Sequence, residues 1–162
     1  MSGADAEAAA TGDKAEAARA LLAAESVGVL STISVHRAGY PYGSVTPYAL
    51  SAAGAPLLLL SGLAAHTKNL LADPRACLFV GDRTAAADPQ AGARISLLGR
   101  AAPVAPTAEP DARARYVARW PQAAAYFQMK DFALWELTVE ELRLIAGFGE
   151  IRWLPASVLA AR

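Results

Sequence analysis

The sequence predicts a mainly β protein, an antiparallel barrel or sandwich of six or seven strands with short flanking helices. Runs of β-branched, aromatic and leucine residues recur at short intervals, separated by turns rich in Gly and Pro. Strand and helix patterns do not alternate regularly, which argues against a doubly wound parallel sheet. The chain also shows no internal repeat.

Met1 to Asp13 has the small, acidic composition of a flexible leader, and residues 14–162 read as a single domain. From Lys14 an apolar stripe of Ala17, Leu21, Leu22 and Val27 lies beside Lys14, Glu16, Arg19 and Glu25. That pattern predicts one amphipathic helix, stopped at Gly28. Val29 to Val35 is the first strand and His36-Arg37-Ala38-Gly39 its turn. Tyr40 to Leu50 is the returning strand of a hairpin. Gly54 and Pro56 precede a third strand at Leu57-Leu58-Leu59-Leu60, after which Ser61-Gly62 leads into a short helix over Ala64 to Ala72. Pro74 closes that helix, and Ala76 to Val80 forms a fourth strand. A polar loop, Thr84 to Gly92, leads to a fifth strand, Arg94 to Val104, with a bulge or bend at Gly99. Pro110 to Trp120 and Gln122 to Phe127 are helical pieces split by Pro121. Phe132 to Thr138 and Glu141 to Ile145 are two further strands, followed by Gly147-Phe148-Gly149 and a tail around Trp153 and Leu154.

The 162 residues are 54% hydrophobic and 19% charged, sufficient for one packed core, although about a quarter of them are small alanines. Fifteen basic residues balance fifteen acidic ones, for a net charge of +0. Such a balance gives no general support for nucleic-acid binding, which relies on clustered positive surface. The first 20 residues lack the apolar core of a signal peptide, and no apolar run approaches membrane-spanning length. A soluble, cytoplasmic protein is the expectation. Cys77 is the only cysteine. It excludes an intrachain disulfide and a thiolate-rich metal site, and within Ala76 to Val80 it reads as a small buried hydrophobe. No metal centre is expected.

Dinucleotide-loop, Walker A, HExxH, CxxC and GxSxG motifs are all absent. The most informative segment is Ser61-Gly62-Leu63-Ala64-Ala65-His66-Thr67-Lys68-Asn69-Leu70. It carries a strand into a helix opening, where free N–H groups favour an anion. Ser61 and Thr67 offer hydroxyls there, and His66 and Lys68 offer charge. Together they suit a phosphate monoester or, equally, serve as ordinary capping with solvated side chains. Arg94 is a further candidate anion contact. His36 reads as a surface residue of its turn. Tyr40, Tyr42 and Tyr48 are expected on one strand face, as a cross-strand stripe, an interface or a ligand wall. Trp120, Tyr126, Phe127 and Trp135 are expected to pack helices on the sheet. No side chain presents itself as a catalytic acid or base.

Several pieces resemble, in order, the flavin-binding split-barrel superfamily that includes pyridoxamine 5′-phosphate oxidase, and most nearly its haem-utilisation, HugZ-like branch. They are Gly28 to Thr32, Gly39 to Val45, Ser61 to Leu70, Asp73 to Leu78, Arg94 to Gly99, Asp131-Phe132 and Gly147 to Gly149. The resemblance spans roughly residues 17–154 and implies a six- to seven-stranded antiparallel split β-barrel. It further implies a homodimer with FMN at the subunit interface. On that basis Ser44, Val45 and Thr46 run along the isoalloxazine ring, and Ser61 leads to the phosphate. Ala65 and His66 stand where the oxidase has an Arg-Lys pair, which leaves the phosphate to His66, Thr67, Lys68 and the helix opening. Arg94 falls near a flavin-contacting glutamine position, and Trp153 approaches the ring from the other subunit. The implied function is FMN-dependent oxidation or reduction of a small molecule. Haem binding or degradation on the same barrel is the alternative, and a non-catalytic flavin-binding or structural dimer is a third.

Overall fold

A computed structural model describes residues 3–85, 87–146 and 151–160. Its strands are β1 (Val27–Ile33), β2 (Pro41–Leu50), β3 (Pro56–Ser61), β4 (Arg75–Gly81), β5 (Arg94–Pro103), β6 (Phe132–Ile145) and β7 (Ile151–Pro155). The helices are α1 (Gly3–Ala24), α2 (Ala65–Ala72), α3 (Glu109–Arg119) and α4 (Ala123–Tyr126). Strands pair in the order β3-β2-β1-β4-β5-β6-β7, and β3 also pairs with β6. Every pairing is antiparallel. The β3–β6 contact therefore closes a six-stranded barrel and leaves β7 as an outer strand on β6.

Several expected boundaries move, each for a local reason. Helix α1 begins at Gly3 rather than Lys14, because the alanine-rich stretch before Lys14 has the highest helix propensity available. Gly28 lies inside β1 and does not stop the helix, and Val27 belongs to that strand as well. A Cβ at Gly28 would stand 2.8 Å from the Phe79 carbonyl oxygen and 2.9 Å from Leu78 Cδ1, so glycine permits the close β1–β4 approach. The two expected late strands are one 14-residue strand, β6. The register slips between Leu98 and Gly99, which face Glu141 and Val139 respectively. One extra residue in β6 switches its inward positions from Trp135 and Leu137 to Leu142 and Leu144, all buried, and that change of parity reads as a strand break. The bulge does fall at Gly99 as expected, where a Cβ would lie 2.0 Å from the Thr138 carbonyl oxygen. The tail around Trp153 and Leu154 is strand β7, and the Gly147 to Gly149 turn lies outside the described residues.

The barrel interior is filled by leucines and other large apolar side chains from facing strands, including Leu30, Leu58, Leu60, Leu78, Leu97, Leu137 and Leu142, with Trp135 and Tyr48. Ala18, Leu21 and Leu22 of α1 join this cluster, which explains the stripe on that helix. Strand β3 is buried on both faces. Leu58 and Leu60 point into the barrel, whereas Leu57 and Leu59 pack outward with Ala112, Tyr116 and Ala123 from α3 and α4. A continuous leucine run is what such a strand needs.

The aromatic residues divide between tasks. Trp120 donates its indole N–H to the Tyr48 carbonyl at 3.0 Å. Tyr116 meets Phe127 edge-on, and Tyr126 stacks on Phe132 at 5.3 Å. The three tyrosines of the hairpin do not form one stripe. Tyr48 is in the core and donates to the Leu22 carbonyl at 2.8 Å, and Tyr40 precedes β2 beneath the Arg37 guanidinium. Tyr42 remains exposed near the barrel mouth.

A cationic cleft between the first hairpin turn and helix α2

Asn69 creates the most distinctive feature at the α2 end of the barrel. It is 2% exposed, and both ends of its amide are used. The Oδ1 atom accepts from the Val35 N–H at 2.9 Å, and Nδ2 donates to Thr32 Oγ1 at 2.9 Å. Thr32 in turn donates to the Tyr42 carbonyl at 3.4 Å. Helix α2 is thereby held against β1 and the turn that follows it. Between them lies a cleft of about 490 Å³ lined by Ser34, Val35, His36, Tyr42, Leu63, Ala65, Lys68 and Asn69. Its walls are partly apolar, and no carboxylate lines it.

His66, on α2 between Ala65 and Lys68, is not one of the lining residues; its Nδ1 lies 3.2 Å from Ser44 Oγ on β2. Burial lowers its pKa from the ordinary 6.5, so the neutral imidazole is the prevailing form near pH 7. When Nδ1 carries the proton and donates to Ser44, Nε2 keeps its lone pair.

The expected phosphate pocket is differently employed. Ser61 donates its hydroxyl to Asp131 Oδ2 at 2.6 Å and accepts from the Leu63 N–H. Thr67 is buried and donates to the Ser61 carbonyl at 2.6 Å. Both hydroxyls thus secure the turn into α2, and a carboxylate stands beside them. On β2, Thr46 is buried and donates to the Ser44 carbonyl, while Val45 faces outward at 76% exposure.

Ser44, Ser61, His66, Thr67 and Lys68 therefore gather at one end of the barrel. Arg94 and Trp153 do not join them within this chain. Arg94 pairs with Gly81 and Ile145 at the other end and donates to the Gln90 and Gly92 carbonyls. Trp153 is on the outer strand, 5.5 Å beneath the Arg143 guanidinium. Cys77 is not in the core but half-buried on the outer sheet face, where burial pushes its thiol upward. His36, Leu63 and Asn69 were not among the expected site residues, and Tyr42 was considered only as one of three tyrosines that could wall a ligand. Only the tertiary pairing of α2 with the hairpin turn brings them together, although the fully polar Asn69 within an amphipathic helix was a usable signal.

A closed six-stranded antiparallel barrel with an added outer strand, and a helix following β3 at its mouth, is a split-barrel architecture. Within that class the chain belongs to the CREG β-barrel family, whose model matches residues 10–159. It is 36% identical over 134 residues to the chloroplastic, noncanonical heme oxygenase HOZ of Arabidopsis thaliana, covering 82% of this chain and 40% of that protein. The structure of a heme binding protein from Mycobacterium smegmatis superposes with a TM-score of 0.83 at 34% identity, covering 90% of this chain and 59% of that one. The fold is also that of HutZ, a heme storage protein from Vibrio cholerae, at a TM-score of 0.67 and 23% identity, covering 78% of this chain and 91% of that one. This chain spans about two fifths of the curated relative and about three fifths of the mycobacterial structure.

Proposed function

We propose that this chain is a haem-binding member of its family, with the α2 end of the barrel as the haem site and His66 as the iron ligand. The observation that carries this is the state of His66: its pKa lowered by burial, with Nδ1 at Ser44 and no partner on the other ring nitrogen among the described residues. Haem iron takes such an imidazole, and a hydrogen bond on the far nitrogen fixes the ring's orientation and raises its basicity. Val35, Leu63, Ala65 and Tyr42 supply walls suited to a flat, largely apolar ring. The heme-related descriptions of two relatives above 30% identity support the same choice.

This places the haem alternative ahead of FMN-dependent oxidation or reduction. Commitment of Ser61 and Thr67 to the chain removes two phosphate donors that the flavin reading needs. Bound haem would supply iron redox chemistry. The protein's part is ligation by His66, orientation of that ring by Ser44, and exclusion of water by the apolar walls.

Titration of the purified protein with haemin tests this by absorbance. A Soret band saturating at about one haem per chain is expected, with its position shifted or lost in His66→Ala and retained in His36→Ala. A spectrum indifferent to His66→Ala would overturn the ligand assignment. Lack of any saturating Soret band, or FMN retained at about one per chain after purification, would overturn the haem reading.

We further propose a homodimer formed through the outer sheet face. Val45, Val29 and Phe79 lie opposite one another across β2, β1 and β4 and are 76%, 38% and 40% exposed. Leu98 on β5 and Trp153 on β7 extend this apolar surface. Contiguous exposed apolar area of this kind marks an interaction surface.

A further inference from the structure

We infer that Asp131 is a specificity-determining residue: its carboxylate holds the one proton that Ser61 can give and keeps phosphate monoesters away from the opening of α2. The inference rests on the haem reading for the place of the site, and deepens it by naming what that site rejects.

Helix α2 opens with no side-chain cap and no acid in its first turn. Taken alone, such an opening attracts anions. The opposing charge comes from far along the chain. Asp131 directly precedes β6, its carbonyl accepts from the Gly62 N–H at 2.6 Å, and the next residue, Phe132, pairs with Ser61. Closure of the barrel between β3 and β6 therefore sets this carboxylate at the turn into α2. Among the described residues no Lys, Arg or His forms an ion pair with it, so no neighbouring cation cancels its charge.

Ser61 has a single hydroxyl proton. That proton goes to Asp131 Oδ2 at 2.6 Å, while the Leu63 N–H at 3.2 Å takes up an Oγ lone pair. Thr67, the other hydroxyl of this corner, is buried and donates to the Ser61 carbonyl. A phosphate monoester offers chiefly acceptor oxygens and a charge of about −1.5 to −2 near pH 7, so it can bond Ser61 only by displacing Asp131. Any oxygen within hydrogen-bond reach of Ser61 Oγ also lies within about 5.5 Å of the carboxylate, where like charges repel. Both effects act against a phosphate, and neither acts on an uncharged ring.

The test compares FMN with riboflavin, which has the same ring and no phosphate, by quenching of flavin fluorescence. The proteins are the wild type, Asp131→Asn and the double variant Asp131→Asn/Ser61→Ala, with circular dichroism confirming the fold. Asn keeps the size of the side chain and leaves the backbone bond to Gly62 in place. Loss of the repulsion and release of one charge-assisted hydrogen bond predict FMN affinity at least about tenfold higher in Asp131→Asn than in the wild type. Riboflavin affinity is expected to be the same in both proteins, and the double variant is expected to lose part of the FMN gain. Equal FMN affinity in the wild type and Asp131→Asn, including no binding by either, overturns the inference. An equal gain for riboflavin overturns it as well, and a gain undiminished in the double variant overturns the role given to the Ser61 proton. Haemin titration of the wild type decides the haem reading separately: a missing Soret band overturns that reading, whereas the exclusion of phosphate stands or falls on the flavin comparison.

Discussion

Removing Asn69 should both destabilise the protein and loosen the cleft. In Asn69→Ala the Val35 N–H loses its acceptor and Thr32 Oγ1 loses its donor, both at 2.9 Å. Each intramolecular hydrogen bond contributes about 0.5–1.5 kcal/mol net, and a buried group left without a partner costs more. The Thr32 bond is buried, whereas Val35 is 51% exposed and water can reach its N–H. The expected loss is therefore about 2–3 kcal/mol, or a fall in Tm of roughly 4–12 °C for a domain of this size. Urea unfolding gives the free energy and thermal circular dichroism the midpoint. Haemin titration on the same variant is expected to show weaker binding, because the turn bearing His36 is no longer tied to the helix bearing His66 and Lys68. Asn69→Asp should be no better, since it keeps an acceptor for Val35 but brings a buried charge and no donor for Thr32. A loss below about 0.5 kcal/mol in Asn69→Ala, with haemin affinity unaltered, would refute the idea that this side chain sets the cleft.

Three other outcomes follow from particular contacts. Gly99→Ala places a methyl group 2.0 Å from the Thr138 carbonyl oxygen and 2.9 Å from Val139 Cα; with backbone on the other side, the cost should be on the order of 3 kcal/mol or more, and near-wild-type urea stability would show that the bulge relaxes freely. Because His66 has a folded pKa below the ordinary 6.5, the unfolded chain binds its proton more readily. Stability linked to His66 is present above about pH 6.5 and is lost as pH falls through the folded value. Urea midpoints measured from pH 7 to pH 5 should fall less in His66→Gln than in the wild type, and parallel curves would remove His66 from the explanation. Val45→Asp, at a fully outward position, should leave the fold intact and shift the protein to monomer in light-scattering chromatography; an unaltered dimer would move the interface elsewhere, and a monomeric wild type would refute the dimer.

The order of the strands was legible because each is a short run of β-forming residues between Gly and Pro breaks. The leucine run at Leu57 to Leu60 and the bulge at Gly99 fall where the sequence points. Strand β6 misleads because a single extra residue reverses which side chains face inward, so two halves in opposite phase resemble two strands. Helix α1 misleads in the other direction: alanine carries strong helix propensity and little amphipathic signal, so its first turns look featureless. The site was legible only in part. Ser61 and Thr67 have the chemistry of phosphate donors, and nothing local reveals that Asp131, 70 residues away, takes up the Ser61 hydroxyl. His36 looks like any turn histidine until Asn69 draws α2 against its turn.

The pairing of β3 with β6 also governs how the barrel can be assembled. Phe132 meets Ser61 and Trp135 meets Leu58, contacts separated by nearly half of the chain's length. Local hairpins such as β1–β2 can form early, but the ring stays open until β6 has been synthesised, and such distant contacts are slow to form. Until then β3 presents an unpaired edge of leucines, a template for pairing with another chain. A nascent or truncated chain ending before Phe132 is consequently the aggregation-prone form of this protein. Its yield in cells is governed by how quickly the last fifth of the sequence arrives and by what shields that edge meanwhile.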